Sequence, residues 1–159
     1  MNEEVINNLP VDAKKEFIKL GLKLAEKKTK TKVHDDFLSF VKHVWPEFIE
    51  GKHHKEIADK FNDIANKKIK RLIINMPPRH TKSEFASFLL PAWMVGRKPD
   101  LKIIQSTHTT ELAIRFGRKA KNLMDSQEYK QVFKTRLRED SQAAGKWETE
   151  QGGEYYAAG

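Results

Sequence analysis

The most constraining feature of this chain is an apolar run, Ile69 to Met76, that stops abruptly at Pro77-Pro78. Its residues are largely β-branched or aliphatic and it is too short for a typical helix, so it predicts a buried strand. The following stretch, Glu84 to Val95, is rich in aromatic and aliphatic residues and predicts a helix. Gly96 is a natural residue for the end of that helix, and Pro91 is expected to kink or end it. The residues between the two elements therefore connect a strand directly to a helix.

This connecting loop, Met76 to Ser83, partly matches the phosphate-binding pattern G-x-x-x-x-G-K-[ST]. Lys82 and Ser83 occupy the last two positions, whereas Met76 and Thr81 stand where the pattern has glycines. A turn from a strand into a helix presents unpaired N–H groups and the positive end of the helix dipole. The loop therefore predicts a site for the phosphates of a nucleotide. If position 81 requires a positive φ, a β-branched residue there costs about 1–2 kcal/mol.

Each polar residue of the loop has an expected role. Lys82 would place its ammonium against the β- and γ-phosphates, and the Ser83 hydroxyl would bind Mg²⁺. Arg79 adds a second cation that could stabilise charge on the γ-phosphoryl group. The other residues expected to surround the phosphates are Pro78, His80 and Thr81.

Residues 1–66 predict a helical segment in front of this unit. A first helix starts near Asp12, and the polar, basic stretch Glu26 to Lys32 lacks apolar periodicity, so it predicts the end of that helix. A second helix is expected from Phe37 to Trp45, where the following proline disfavours further helix. A third is expected from Lys52 to Asn66.

The residues after the loop continue the alternation of strands and helices. Leu101 to Ser106 predicts a second strand, and Thr109 or Thr110 could cap a helix that runs to about Ser126. A Gly-Gly pair inside the range Trp147 to Tyr156 predicts a β-hairpin. The order strand, loop, helix, strand, helix favours an α/β fold with a parallel sheet covered by helices. Because only two parallel strands are evident, we expect the chain to be a fragment or a truncated sequence.

Charge and composition narrow the function less than the loop does. The net charge of +8 fits a polyanionic partner such as nucleic acid, but it also fits a lysine-rich surface that only maintains solubility. The best candidates for DNA contact lie on one helix, whose basic face could equally be solvated or meet a neighbouring subunit; they are Arg115, Arg118, Lys119 and Lys121. The chain has no cysteine, so disulfides and thiolate metal sites are excluded.

The opening residues, MNEEVINN, are acidic and lack the apolar region of a secretory signal. No apolar run approaches the roughly 20 residues that span a bilayer. Both observations predict a cytoplasmic protein.

The stretch RLIINMPPRHTKSEFASFLLPAWMVGRKPDLKIIQSTH resembles the ATPase core of phage terminase large subunits. These proteins typically carry a strand, PPRHGKS or a close variant, an apolar helix with Pro-Ala-Trp, and a glycine before the next strand. The resemblance extends over roughly Phe37 to the C-terminus. Further matches are His53-His54, Phe116-Gly117-Arg118, and the W-x-T-x-x-G-G pattern of Trp147, Thr149, Gly152 and Gly153.

The resemblance implies that residues 67–159 form the N-terminal part of a P-loop NTPase core with a parallel sheet covered by helices. It implies ATP and Mg²⁺ as ligands, with Lys82, Ser83 and Arg79 in the roles given above and His54 near the adenine. It also implies a motor that couples ATP hydrolysis to the translocation of double-stranded DNA into a procapsid. Its partners would be a portal protein, a small terminase subunit and further copies in a ring. The motor would act in the host cytoplasm, transiently at the procapsid portal.

In that family the Walker B strand, with its Asp and Glu, and a nuclease domain would follow Gly159. We therefore expect this chain to bind nucleotide weakly and not to hydrolyse it. Two other functions remain open from the sequence. One is a helicase-like P-loop ATPase, and the other is a non-catalytic nucleic-acid-binding module whose loop has lost nucleotide.

Overall fold

The computed structural model describes residues 10–159, so the predictions for the opening octapeptide and for the first nine residues of the helical segment lie outside it. Its helices are α1 (Val11–Asp35), α2 (Phe37–Val44), α3 (Lys52–Ala65), α4 (Lys82–Glu84), α5 (Leu90–Arg97), α6 (Thr110–Asp125) and α7 (Gln127–Val132). A π-helical turn, Phe85–Leu89, connects α4 to α5 without a break. The strands are β1 (Lys102–Ser106), β2 (Leu137–Ala143), β3 (Lys146–Thr149) and β4 (Glu154–Ala158). The predictions for α2, α3, α6 and β1 are confirmed to within two residues.

The four strands form one mixed sheet in the order β1-β4-β3-β2. Only β1 and β4 are parallel, while β4–β3 and β3–β2 are antiparallel. The fold is therefore mixed α/β, as predicted, but the prediction of a parallel sheet is not confirmed. The reason is that the predicted hairpin (β3 and β4), together with the unpredicted strand β2, supplies antiparallel strands to the same sheet.

The predicted strand Ile69 to Met76 is wrong, because residues 71–77 have no regular secondary structure. The side chains nevertheless alternate as they would in a strand. Leu72, Ile74 and Met76 pack against the core, whereas Ile73 is 85% exposed. None of the described strands pairs with this segment, and without a hydrogen-bonded ladder an extended segment is not a strand.

The predicted end of the first helix at Glu26 to Lys32 is also wrong, because α1 continues to Asp35. Lysine, glutamate and alanine are good helix formers even where no apolar stripe is present. Lys30 forms an ion pair with Glu26 at 2.8 Å, one turn away. The helix ends instead at Asp36, whose carboxylate accepts a hydrogen bond from the Ser39 amide and caps α2.

Pro91 neither ends the helix nor breaks it. The preceding turn widens to a π-helical form in which the Leu90 amide donates to the Phe85 carbonyl, and α5 then runs through Pro91 to Arg97. A π-turn next to a proline relieves the clash of the proline ring with the preceding turn. The aromatic-rich helix that follows the loop is therefore continuous from Lys82.

The core is formed by buried residues of α2, α3, α6 and α7, of the helix that follows the loop, and of the hairpin. Phe37 of α2 lies at its centre and makes T-shaped contacts with Phe61, Phe85 and Trp93 at 5.1–5.4 Å between ring centroids. Tyr129 of α7 is fully buried, and its hydroxyl donates to the Ala92 carbonyl at 2.8 Å. None of the helices in residues 10–159 is long and apolar enough to cross a membrane.

The predicted hairpin is confirmed and packs against α6. The Trp147 indole stacks on Tyr155 at 4.7 Å and donates to the Gly117 carbonyl at 3.3 Å. Thr149 Oγ1 accepts from the Gly153 amide at 2.8 Å and donates to the Pro99 carbonyl. These residues of the W-x-T-x-x-G-G and F-G-R patterns thus hold the hairpin, α6 and the loop before β1 together.

Candidate phosphate-binding loop

The backbone of the loop adopts two left-handed conformations just before the helix. Arg79 has φ 65°, and Thr81 has φ 57° and ψ 4°. Position 81 therefore does require a positive φ, so Thr81 carries the cost of about 1–2 kcal/mol that glycine would avoid. A left-handed residue followed by a right-handed helical one, here Lys82, turns successive N–H groups towards one point and forms an anion-binding concavity.

The helix begins at Lys82, so the amides of its first turn have no acceptor within the helix. The Lys82 side chain folds back across the loop, and its ammonium donates to the Met76 carbonyl at 3.3 Å. That carbonyl belongs to the first residue of the eight-residue pattern. The ammonium therefore lies across the loop, close to where a bound phosphate would be expected.

The remaining loop side chains are exposed. Arg79 is exposed and makes no side-chain hydrogen bond or ion pair within the described part of the chain, so its guanidinium is available to an anion. Ser83 is likewise an exposed residue. His80 is exposed too, and its Nδ1 donates to the Pro78 carbonyl at 2.9 Å.

Behind the loop, His54 of α3 is 6% exposed and connects the loop to the start of its own helix. The Gly51 amide donates to His54 Nδ1 at 2.8 Å, so that nitrogen is an acceptor and carries no proton. The proton of the neutral ring is then on Nε2, which donates to Thr81 Oγ1 at 2.6 Å. The Thr81 hydroxyl in turn donates to the His80 carbonyl at 2.7 Å. All three hydrogen bonds are satisfied by one tautomer of an uncharged imidazole.

The surroundings of His54 favour that uncharged form. Burial lowers the pKa of His54 below its usual 6.5, and positive charge on His53 or His80 lowers it further. Glu50 acts in the opposite direction and raises this pKa, but its carboxylate is already paired with Lys42 and with Lys55.

This placement changes the role predicted for His54. A side chain that is 6% exposed offers little ring surface to an adenine. The His54 ring instead contacts Phe48 at 4.8 Å and Phe85 at 5.1 Å between centroids. His54 therefore belongs to the support beneath the loop in this structure.

Glu84, which the sequence did not single out, fixes the start of the helix to α6. Its carboxylate oxygens lie 2.9 and 3.0 Å from the Lys119 ammonium, which also lies 5.2 Å from the centroid of the Phe88 ring. The two residues are 35 positions apart, so no local spacing connects them. Their opposite charges would have been the only signal.

The four basic residues predicted to contact DNA do not share one surface. Arg115 and Arg118 are exposed and line a cleft of about 680 Å³ beside His108 and Glu111. Lys119 is directed to Glu84 instead, and Lys121 does not line the cleft. The structure thus brings two of the four residues together, and their contact with DNA stays a prediction.

A second groove, of about 610 Å³, runs between α3 and residues 72–76, with His53 and Lys60 in its wall. Neither cleft includes the loop residues 77–83. Within the part of the chain that the structure describes, no three His, Asp or Glu side chains are grouped so that they could hold a metal ion. A Mg²⁺ ion at this loop would therefore depend on nucleotide phosphates together with Ser83.

Comparisons with protein families, with curated proteins and with solved structures found no match for this chain.

Proposed function

We propose that the loop Met76 to Ser83 binds the phosphates of ATP together with Mg²⁺. The observation that carries this proposal is the left-handed backbone of Thr81 directly before the helix, with the Lys82 ammonium across the loop. A threonine in that conformation is unfavourable, so the fold must maintain it. The conformation it maintains directs N–H groups towards an anion.

The roles of the side chains follow from their positions. A phosphate that enters the loop would take the Lys82 ammonium from the Met76 carbonyl, exchanging a neutral acceptor for a charged one. Ser83, one residue further, would supply its hydroxyl to Mg²⁺. Arg79 is exposed on the loop and would contact the outermost phosphate, the γ-phosphate of ATP.

We propose further that the chain is the ATP-binding part of a DNA-packaging motor of the terminase large subunit type. The support is the ordered resemblance from Phe37 onward. Several of the resembling residues also have structural roles here, since Trp147, Thr149 and Gly153 hold the hairpin against its neighbours. Under this proposal residues 72–76 take the place of the strand that precedes the loop in P-loop proteins. Double-stranded DNA, the portal, the small subunit and the ring of copies are parts of the same proposal.

A non-catalytic nucleic-acid-binding module is the second candidate, and the cleft beside Arg115 and Arg118 favours it. Two exposed guanidinium groups in one concave surface suit phosphate oxygens. This candidate requires nucleic-acid binding that is independent of the loop.

The test is calorimetric titration of the chain with Mg-ATP, compared with Lys82→Ala and with Lys134→Ala, an exposed lysine outside the loop. We expect weak binding to the wild type and to Lys134→Ala, and none to Lys82→Ala. Equal binding by Lys82→Ala, or no binding by any form at millimolar Mg-ATP, would overturn the proposal. We expect no ATP hydrolysis by this chain, so a rate abolished by Lys82→Ala would contradict that expectation.

A further inference from the structure

We propose that His54 is a positioning residue for the loop: by donating to Thr81 it holds the left-handed backbone that phosphate binding requires, and only the uncharged ring does so. This inference rests on the proposed function of the loop and adds to it a means of regulation by protonation.

The first step is the backbone of Thr81. A β-branched residue is disfavoured about 5- to 30-fold in the left-handed region, so a contact outside the backbone must select it. Thr81 Oγ1 has two described partners, His54 Nε2 at 2.6 Å and the His80 carbonyl at 2.7 Å. The His80 carbonyl moves with the loop. Of these two partners of the Thr81 side chain, His54 is the one that belongs to the buried core. The Thr81 carbonyl also accepts from the Phe85 amide, but that backbone bond does not depend on the residue at position 81.

The second step is the rigidity of His54 itself. Its ring is held by the Gly51 amide and lies between Phe48 and Phe85. The Phe85 side chain is fully buried and belongs to the helix that follows the loop. His54 therefore fixes Thr81 relative to the same core on which that helix rests.

The third step is the direction of the hydrogen bonds. Nδ1 must accept from Gly51 while Nε2 donates to Thr81. Protonation of the ring places a proton on Nδ1, where it faces the Gly51 N–H. The ring must then move, and the hydrogen bond to Thr81 is lost with it.

The charged groups around His54 set the pH range of this change. His53 on the same helix and His80 on the loop oppose its protonation, while Glu50 favours it and is itself paired with two lysines. Burial is the largest influence and lowers the pKa of His54 below 6.5. The hydrogen bond from His54 to Thr81 is thus fully present above pH 6.5 and is lost as the pH falls through the lowered pKa of His54.

A double-mutant cycle tests the inference, because glycine adopts the left-handed conformation without help. The forms are the wild-type chain, His54→Ala, Thr81→Gly and the double variant, each titrated with Mg-ATP. We expect His54→Ala to weaken binding about 5- to 30-fold, the range given above for the conformation. We expect the same substitution to have less than a twofold effect in the Thr81→Gly background.

Two further variants separate positioning from damage to the core. Thr81→Ala removes the hydroxyl together with the γ-methyl group of a half-buried residue. We expect it to weaken binding as His54→Ala does, because alanine is also disfavoured in the left-handed region. His53→Ala removes the neighbouring ring, which makes no hydrogen bond to the loop, and we expect binding within twofold of the wild type. A loss for His54→Ala that is the same in both backgrounds, or no loss for Thr81→Ala, would overturn the inference.

A pH titration supplies the second measurement. Between pH 7.5 and 5.5 we expect Mg-ATP binding by the wild type to fall more steeply than binding by Thr81→Gly. The titration of ATP itself affects both forms equally, so the difference between the two profiles reports on the protein. Parallel profiles would count against the protonation step.

The positioning is also measurable without nucleotide, from the NMR shifts of the Lys82 and Ser83 amides. We expect His54→Ala to move them in the wild-type background and to leave them unchanged with Thr81→Gly. If no form binds Mg-ATP, the proposed function fails, while these shifts still decide whether His54 positions the loop.

Discussion

Gly117 provides a sharp test of how the hairpin is held against α6. In most helices a glycine-to-alanine change is stabilising by about 1 kcal/mol. At Gly117, however, an added Cβ would collide with the Ala144 carbonyl and would lie 2.8 Å from Cε1 of Tyr155. The first of these is a backbone atom and cannot rotate away, so α6 and the turn between β2 and β3 must separate. Overpacking of this kind costs about 1–3 kcal/mol, and we take the upper end because backbone must move.

The net expectation for Gly117→Ala is a loss of about 2 kcal/mol in the free energy of unfolding, or a fall in Tm of about 4–8 °C. Urea denaturation followed by circular dichroism measures it. Gly21→Ala is the matched control, since that glycine is also within a helix but has nothing within 4 Å of its added Cβ. It should be neutral or stabilising by up to about 1 kcal/mol. A Gly117→Ala chain as stable as the wild type would refute the packing of the hairpin on α6.

Three other predictions follow from individual side chains. Lys119→Ala should lower the free energy of unfolding by only about 0.5–1 kcal/mol, because its pair with Glu84 is more than one-third exposed, and a double-mutant cycle in urea should give a coupling no larger than that. Tyr129→Phe should cost about 1 kcal/mol by removing the hydrogen bond to Ala92. Burial raises the pKa of Tyr129 above its usual 10. The free energy of unfolding should therefore be fully present below pH 10 and should fall as the pH rises above 10. The fall should be smaller in Tyr129→Phe, which lacks the ionisable hydroxyl. Leu22→Ala should leave Tm within about 2 °C by scanning fluorimetry, because the Leu22 side chain is 68% exposed and Val33 is the buried residue of α1.

The elements that the sequence predicted well are those that carry their own signal. Helices α2, α3 and α6 each combine an apolar stripe with a start or stop residue, such as Thr109, whose hydroxyl accepts from the Leu112 amide. The end of α1 was missed for a related reason. A lysine-rich stretch without apolar spacing gives no sign of where a helix stops, whereas the side-chain cap at Asp36 does.

The candidate site likewise has one part that the sequence predicts, the loop, and one part that it does not, the support beneath the loop. The positions of Lys82 and Ser83 are predictable because the phosphate-binding pattern is defined by spacing along the chain. The same pattern has glycine at position 81, which indicates the positive φ that Thr81 adopts. The support beneath the loop was not predictable. His54 lies 27 residues before Thr81, and only the packing of α3 on the helix after the loop brings the two together.

Residues 69–76 show why a strand predicted from side chains can fail. The apolar run is a local property, and in the structure its side chains alternate, with Leu72 and Ile74 against the core and Ile73 exposed. The ladder of hydrogen bonds is not local, since it depends on which other strand lies alongside. The order of elements along the chain suggested a parallel neighbour, but β4 pairs with β1 and brings the hairpin with it. A sequence pattern can therefore place the loop after an extended, half-buried segment, while the pairing of that segment depends on strands far away in the chain.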